Sequence, residues 1–167
     1  MLFKLLPEEG FGMSKKVFSG SFEFSNSGGC RNFDTYNMNP AFCIKVVHDP
    51  TQVFFRLMIK GEVSQDGRTL LKDPDQFRFS VGAQLYRIQA NSFPVKPGTL
   101  SFVAFSNPIM QTGADGKYTS ALSGCVSPCT PLPAGVYILV LSTFNPQQLA
   151  TWDLAIFSSY DIEVAKY

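Results

Sequence analysis

The chain has 167 residues, with 14 lysines and arginines against 13 aspartates and glutamates, and a formal net charge of +1. A near-neutral chain has no overall field to recruit nucleic acid or an anionic membrane, so we expect no nucleic-acid partner. The length suits one domain with its own core, and 16 phenylalanines, 13 glycines and 11 prolines favour strands joined by many turns.

Residues 1–15 are interpreted as a linker or N-terminal extension, and residues 16–167 as the folded domain. The apolar start is broken by Lys4 and stopped by Pro7, which makes it too short for a secretory signal or a membrane-spanning helix. We therefore expect an intracellular, cytoplasmic protein with reduced thiols. The four cysteines are Cys30, Cys43, Cys125 and Cys129.

The first strand is predicted from Lys16, because Phe18, Phe22 and Phe24 alternate with polar residues. A corner is predicted next, over Ser27–Phe42, where Gly, Asn, Asp and Pro are concentrated. Its glycines allow a tight backbone, its asparagines can satisfy backbone groups, and its proline leads into an extended strand. Its cysteine is interpreted as a small packed residue. These residues are Gly28, Gly29, Cys30, Asn32, Asn39 and Pro40.

Two strand-like runs, Ala41–Val47 and Val53–Lys60, are separated by a compact turn, so the pattern predicts a hairpin. The second run places Val53, Phe55, Leu57 and Ile59 on a dry face. A long polar loop is predicted over Gly61–Gln76.

Further strands are predicted at Phe77–Tyr86, Leu100–Phe105, Val136–Thr143 and Thr151–Ser158, and Gly82 indicates a bulge or a close backbone approach. Ser127–Gly135 is rich in proline and suits neither a helix nor a central strand. No stretch shows sustained helical periodicity. The sequence therefore predicts an all-β fold, an antiparallel β-sandwich of about eight strands.

Candidate catalytic and metal-binding residues are few. A nucleophilic cysteine needs a neighbouring histidine, and the single histidine, His48, lies in a predicted turn beside Asp49. Cys125 and Cys129 lack the paired spacing of a zinc site. We expect no catalytic residue, no metal ligand and no cofactor-binding residue in this chain.

Calcium is the one ion for which the sequence offers ligands. Glu62, Asp66, Asp73 and Asp75 place carboxylates in the polar loop, and hard cations take such oxygen ligands. Basic residues are interleaved among them, so a solvated loop with local ion pairs is the favoured interpretation. Lys15 and Lys16 are interpreted as edge-strand charges that oppose aggregation.

Two motifs carry a resemblance to a known family. The segment SGGCRNFDTYNMNPAFCIKV resembles the start of the β-sandwich domain of calpains, the domain that follows the cysteine protease core. The segment LPAGVYILVLSTFNPQQLATWDLAIFSS looks like that domain's end. The matching residues include Gly28, Gly29, Cys30, Asn32, Thr35, Asn39 and Pro40 in the first motif, and Gly135, Tyr137, Ser142, Thr143 and Phe144 in the second.

The resemblance implies a C2-like sandwich that forms a non-catalytic C-terminal accessory domain of a calpain-like cysteine protease. It implies contacts with the protease core or a neighbouring domain, with a protein partner, or with acidic phospholipid. Two alternatives stay open: an autonomous calcium-dependent phospholipid-binding module, and a stand-alone adaptor derived from the calpain sandwich.

Overall fold

The computed structural model describes residues 12–63, 70–72, 80–90, 92–96, 98, 107–113, 116–120 and 124–167. Nearly all regular structure in these residues is strand. One short 3-10 helix spans Tyr36–Met38. The strands are β1 (Ser14–Phe22), β2 (Ala41–Val46), β3 (Thr51–Val63), β4 (Leu70–Lys72), β5 (Ser80–Ile88), β6 (Met110–Gln111), β7 (Thr119–Ser120), β8 (Cys125–Val126), β9 (Thr130–Leu132), β10 (Gly135–Thr143), β11 (Ala150–Ser158) and β12 (Glu163–Lys166).

The strands form two antiparallel sheets. Sheet 1 has the order β1-β11-β3-β4, and the short strands β8 and β9 also pair with β3. Sheet 2 has the order β12-β2-β10-β5-β6, and β7 pairs with β5. The predicted all-β antiparallel sandwich is confirmed. Seven described strands have four residues or more, and the other five are two- or three-residue pieces that sequence patterns do not reveal.

The main core lies between the two sheets and is built by alternation along the strands. Val53, Phe55 and Leu57 of β3 are fully buried, as predicted, and they pack with inward-facing residues of sheet 2 such as Phe42 and Leu139. Residues that alternate with them on β3, such as Arg56 and Met58, face outward. This period of two makes one side of sheet 1 dry and leaves the other side exposed.

A second, smaller core covers the opposite face of sheet 2. Tyr36, Cys43, Tyr86, Ile138 and Val140 are buried there. Sheet 2 is therefore covered on both faces, which explains why β2 reads as a nearly continuous apolar run. The predicted corner supplies part of this cover, through the 3-10 helix that carries Tyr36.

The predicted hairpin between the second and third strands is wrong. β2 pairs with β10 and β12 in sheet 2, whereas β3 pairs with β11 in sheet 1. The turn at residues 47–50 therefore carries the chain from one sheet to the other. Both strands are central in their sheets, so neither has a free side for the other, and their apolar faces meet across the core instead.

Two smaller expectations change, and others fall outside the described residues. β1 ends at Phe22, and Phe24 lies in the turn that follows with 43% of its surface exposed, so it does not continue the strand. The loop predicted over Gly61–Gln76 contains the end of β3 and all of β4. Its remaining residues, with Asp66, Asp73 and Asp75, lie outside the described residues, as does the predicted strand Leu100–Phe105.

Candidate functional site

The corner is organised by the side chain of Asn39, which is 5% exposed. Its Oδ1 accepts a hydrogen bond from the Gly28 amide at 2.9 Å, and its Nδ2 donates to the carbonyl oxygens of Gly29 at 2.8 Å and Tyr36 at 2.9 Å. One carboxamide thus bonds both ends of the loop, which satisfies backbone groups that burial would otherwise leave costly. This is the role predicted for the asparagines, and Asn39 performs it, whereas Asn32 lies exposed.

Two glycines make the close approach of the corner possible. A Cβ on Gly28 would lie 1.9 Å from the Thr35 carbonyl oxygen, and one on Gly29, whose φ is +78°, would lie 2.8 Å from the Pro146 nitrogen. The Thr35 hydroxyl donates to the Gly28 carbonyl at 2.6 Å across the same gap. Both positions therefore require glycine for steric reasons.

The second sequence motif closes over the first. The Cys30 amide donates to the Phe144 carbonyl at 3.0 Å, and the Gln147 amide donates to the Ser27 carbonyl at 2.8 Å. The Ser27 hydroxyl, which is buried, lies 3.2 Å from the Thr143 hydroxyl and donates to the Gln148 carbonyl at 2.9 Å. Segments more than a hundred residues apart in the chain therefore form one hydrogen-bonded corner.

Beneath the corner lies a buried network of hydroxyl groups around Gln84. The Tyr36 hydroxyl donates to Gln84 Oε1 at 3.0 Å and lies 2.9 Å from the Tyr86 hydroxyl. The Tyr118 hydroxyl lies 2.5 Å from that of Ser142. Burial raises the pKa of all three tyrosines, that of Tyr118 to about 12, so they stay protonated and serve as hydrogen-bond groups.

The remaining motif residues also have structural positions. Gly135 opens β10, where a Cβ would lie 3.2 Å from the Arg87 guanidinium, and the Tyr137 hydroxyl donates to the Pro133 carbonyl at 2.6 Å. Pro40 precedes β2, and its carbonyl accepts from the Leu141 amide at 2.9 Å. These motif residues therefore fix the strands of sheet 2 and the turns next to them.

The single histidine lies against an aromatic ring, and three of the four cysteines are buried. The His48 ring stacks on Tyr160, with ring centres 3.5 Å apart. Cys30, Cys43 and Cys125 are buried free thiols and Cys129 is an exposed one. Burial raises the pKa of the Cys43 thiol, and that of Cys125 to about 11, which favours the unreactive protonated form.

The described part of the chain contains no group of three His, Cys, Asp or Glu side chains that could hold a metal ion. Most of the carboxylates considered for calcium lie outside that part, so calcium binding stays a prediction. The described helical structure is too short to cross a membrane.

The feature best suited to contact another molecule is the outer face of sheet 1. Strand register places Val17 of β1, Ala155 of β11, Arg56 of β3 and Val126 of β8 in one row across four strands. The flanking rows are Lys15, Phe157 and Phe54 on one side, and Ser19, Asp153 and Met58 on the other. Val17, Met58 and Val126 are 54%, 41% and 52% exposed.

A shallow groove of about 380 Å³ crosses this face. Its floor includes the stacked rings of Phe54 and Phe157, with centres 4.4 Å apart, and Arg56 and Val126 line its sides. The Lys15 ammonium lies 5.6 Å from the centre of the Phe157 ring. The face therefore carries exposed apolar side chains, with the basic groups of Lys15 and Arg56 among them.

Sequence reasoning did not identify this face. The alternation along the third predicted strand indicates that Phe54, Arg56, Met58 and Lys60 point away from its dry face, but it does not show which strands lie beside them. The signal was present in β1, where Val17 interrupts the outward-facing polar residues. Only the register of β1, β11, β3 and β8 joins these residues into one surface.

Comparison with known proteins agrees with the fold and the motifs. The sequence profile of the calpain large subunit, domain III, matches residues 18–157. Calpain-A of Drosophila melanogaster is 25% identical over 134 residues, which cover 79% of this chain and 16% of that protein. The chain therefore spans a small part of the length of this curated relative. Because this profile matches most of the chain, the chain belongs to the calpain domain III family.

Proposed function

We propose that this sandwich is the non-catalytic accessory domain of a calpain-like intracellular cysteine protease, and that the outer face of sheet 1 docks it against the protease core or a neighbouring domain. The observation that carries the proposal is the cross-strand row of Val17, Ala155, Arg56 and Val126. The match to a domain of a large subunit, and the small share of Calpain-A that the chain spans, support a role within a longer protein.

The chemistry of the face favours a protein surface as its partner. Exposed apolar side chains such as Val17, Met58 and Val126 lie beside charged groups on this face, and such a mixture is usual in protein interfaces. At one margin the Lys60 ammonium pairs with Asp153 at 2.9 Å. The rows and the ion pair at this face contain three basic side chains, Lys15, Arg56 and Lys60, and one acidic side chain, Asp153, so a partner surface with apolar and acidic groups would complement it.

Substitution at the face tests the docking. Val126→Asp places a charge in the middle of the face, and Val47→Asp, at a position 66% exposed in the turn between β2 and β3, is the matched control. In the complete translation product of the gene, we expect Val126→Asp to lower the melting temperature and the protease activity, and Val47→Asp to change neither. In the 167-residue chain alone, both variants should be about equally stable. Equal effects of the two variants in the complete protein would contradict the proposal.

The absence of catalysis is tested on the chain alone. We expect the 167-residue chain to cleave neither casein nor a fluorogenic peptide, with or without calcium, because its described thiols are packed or lack a histidine that could activate them. Turnover that a thiol reagent blocks would overturn this part of the proposal.

A second candidate is contact of the same face with acidic phospholipid, and the observation that favours it is the presence of Lys15, Arg56 and Lys60 among exposed apolar residues. A few exposed cations contribute only about 1 kcal/mol each at an anionic surface, so the expected binding is weak and salt-dependent. Co-sedimentation with phosphatidylserine vesicles, with and without calcium, separates the candidates. Calcium-dependent binding that Val126→Asp abolishes would favour the lipid-binding module over protein docking.

A further inference from the structure

The edge of sheet 1 contains a glycine that an aromatic ring covers from the neighbouring strand. Gly20 of β1 pairs with Trp152 of β11, and the indole lies so close that a Cβ on Gly20 would be 2.4 Å from its Cζ2 atom. Since cross-strand partners direct their side chains to the same face, the indole crosses over Gly20 toward the open side of β1. The single tryptophan of the chain therefore reaches the edge of the sandwich.

The indole N–H has no hydrogen-bond partner among the described residues. Trp152 is 3% exposed, and its Nε1 is the one buried side-chain nitrogen or oxygen in the described residues that lacks a partner. A buried polar group without a partner is destabilising, and an acceptor that entered from the neighbouring cavity would satisfy it. Cε2, the ring atom next to Nε1, lies over Gly20, which lines an adjacent cavity.

This edge cavity lies between the two sheets and has a volume of about 230 Å³. β1 of sheet 1 contributes Gly20 and Ser21 to its wall, and sheet 2 contributes Phe42 of β2 and Lys166 of β12. Among the described residues that line the cavity, Lys166 has the only charged side chain, and Tyr167, the last residue of the 167-residue chain, lies beside it. Sites for drug-sized ligands occupy roughly 300–1,000 Å³, so the cavity suits a single side chain better than a whole small molecule.

β1 also offers backbone groups at the same edge. It is nine residues long and is the terminal strand of sheet 1, pairing with β11 alone among the described strands. A terminal strand of this length can act as a template for an added strand. On a strand added antiparallel to β1, the residue opposite Gly20 points its side chain inward, because it shares the face of Gly20 and Trp152.

We propose that an extended acidic peptide segment of a partner protein adds to β1 as a further strand of sheet 1 and inserts a glutamate or aspartate side chain into the edge cavity. The carboxylate accepts a hydrogen bond from Trp152 Nε1 and is attracted by the Lys166 ammonium. Gly20 is required because any larger residue would displace the indole. This site is separate from the outer face of sheet 1, so it does not depend on the docking proposed above.

The experiment uses the 167-residue chain and two synthetic peptides. The first, acetyl-Thr-Val-Thr-Glu-Thr-Val-Thr-amide, places its glutamate opposite Gly20 with valines on the same face, and the second has lysine in place of the glutamate. Because the chain has one tryptophan, its indole N–H gives one resolved signal in an ¹⁵N-correlated NMR spectrum. We expect the glutamate peptide to shift that signal saturably and the lysine peptide to leave it in place.

A charge variant tests the second contact. Lys166→Gln should weaken binding of the glutamate peptide about fivefold, the effect of losing one favourable charge contact of about 1 kcal/mol. Lys45→Gln, which removes a sheet 2 cation whose ammonium pairs with Glu163 at 3.8 Å, is the control and should leave binding unchanged. Equal binding of the two peptides, an unmoved indole signal, or equal effects of the two lysine variants would overturn the proposal. Concentration-dependent dimerisation of the chain that the glutamate peptide does not reverse would also overturn it, since a second copy would then occupy the edge.

Discussion

Replacing Asn39 by alanine tests the claim that one side chain holds the corner. The substitution removes three hydrogen bonds of 2.8–2.9 Å from a residue that is 5% exposed. The Tyr36 carbonyl keeps the bond from the Asn39 amide at 3.2 Å, whereas the Gly28 amide and the Gly29 carbonyl lose this partner. Each buried group that loses its partner costs about 1–3 kcal/mol. With partial relaxation of the structure, the two groups together predict a loss of about 2–4 kcal/mol in the free energy of unfolding.

The assay is urea denaturation followed by the fluorescence of Trp152. Asn37→Ala, at an exposed position of the same 3-10 helix, is the control and should change the free energy of unfolding by less than about 0.5 kcal/mol. If Asn39→Ala differs from the control by less than about 0.5 kcal/mol, the corner does not depend on these bonds.

A second variant at the same position adds a pH signature. Asn39→Asp keeps an oxygen to accept from the Gly28 amide but turns a carboxylate toward the carbonyl oxygens of Gly29 and Tyr36. Burial and these oxygens raise the pKa of the introduced carboxyl in the folded state above its unfolded value. The variant should therefore be least stable relative to the parent chain at neutral pH and should recover as the pH falls through the raised pKa. A deficit that does not change with pH would refute this assignment of the bonds.

Three further predictions concern the same region. Gly28→Ala, which would place a Cβ 1.9 Å from the Thr35 carbonyl oxygen, should destabilise the fold by more than about 3 kcal/mol in urea denaturation, and a loss of less than about 1 kcal/mol would contradict the steric account. In native protein a thiol probe should label the exposed Cys129 first, and equally fast labelling of Cys30 would show that Cys30 is not packed. The substitution Cys30→Ser should lower stability without abolishing function. Burial raises the folded-state pKa of Tyr36, Tyr86 and Tyr118. Their contribution to the free energy of unfolding is therefore complete below about pH 10 and is lost as the pH rises toward their folded-state pKa values. Absorbance at the phenolate band should show these tyrosines ionising only as the protein unfolds. Smooth titration of all tyrosines near the pKa of an exposed tyrosine would contradict that prediction.

The sequence was most informative where local chemistry decides the structure. Alternation predicted the buried face of β3, and the concentration of Gly, Asn and Pro predicted the corner, because period and backbone preference act over a few residues. The resemblance placed the two motifs in one domain. It did not show that the Cys30 amide bonds the Phe144 carbonyl, since that contact depends on the packing of distant segments.

The sequence was least informative about which strands are neighbours. A short turn after β2 favours a hairpin on local grounds, but β2 is paired on both sides by β10 and β12, so the chain crosses to the other sheet. The outer face of sheet 1 and the edge cavity are also products of register. Val17 and Trp152 stand out in the sequence, as an apolar residue among polar ones and as the single tryptophan, but their neighbours are known only once β11 is placed between β1 and β3.

Methionine oxidation is the most direct test of the central claim that the outer face of sheet 1 docks this sandwich within a longer protein. Met58 lies on that face and is 41% exposed, and Met38, in the 3-10 helix of the corner, is 46% exposed and serves as an internal control. In the 167-residue chain alone, dilute peroxide should oxidise both at similar rates. In the complete translation product, Met58 should be oxidised at least about tenfold more slowly, which corresponds to about 1.4 kcal/mol of protection, while Met38 keeps its rate. Equal oxidation of Met58 and Met38 in the complete protein would contradict the claim.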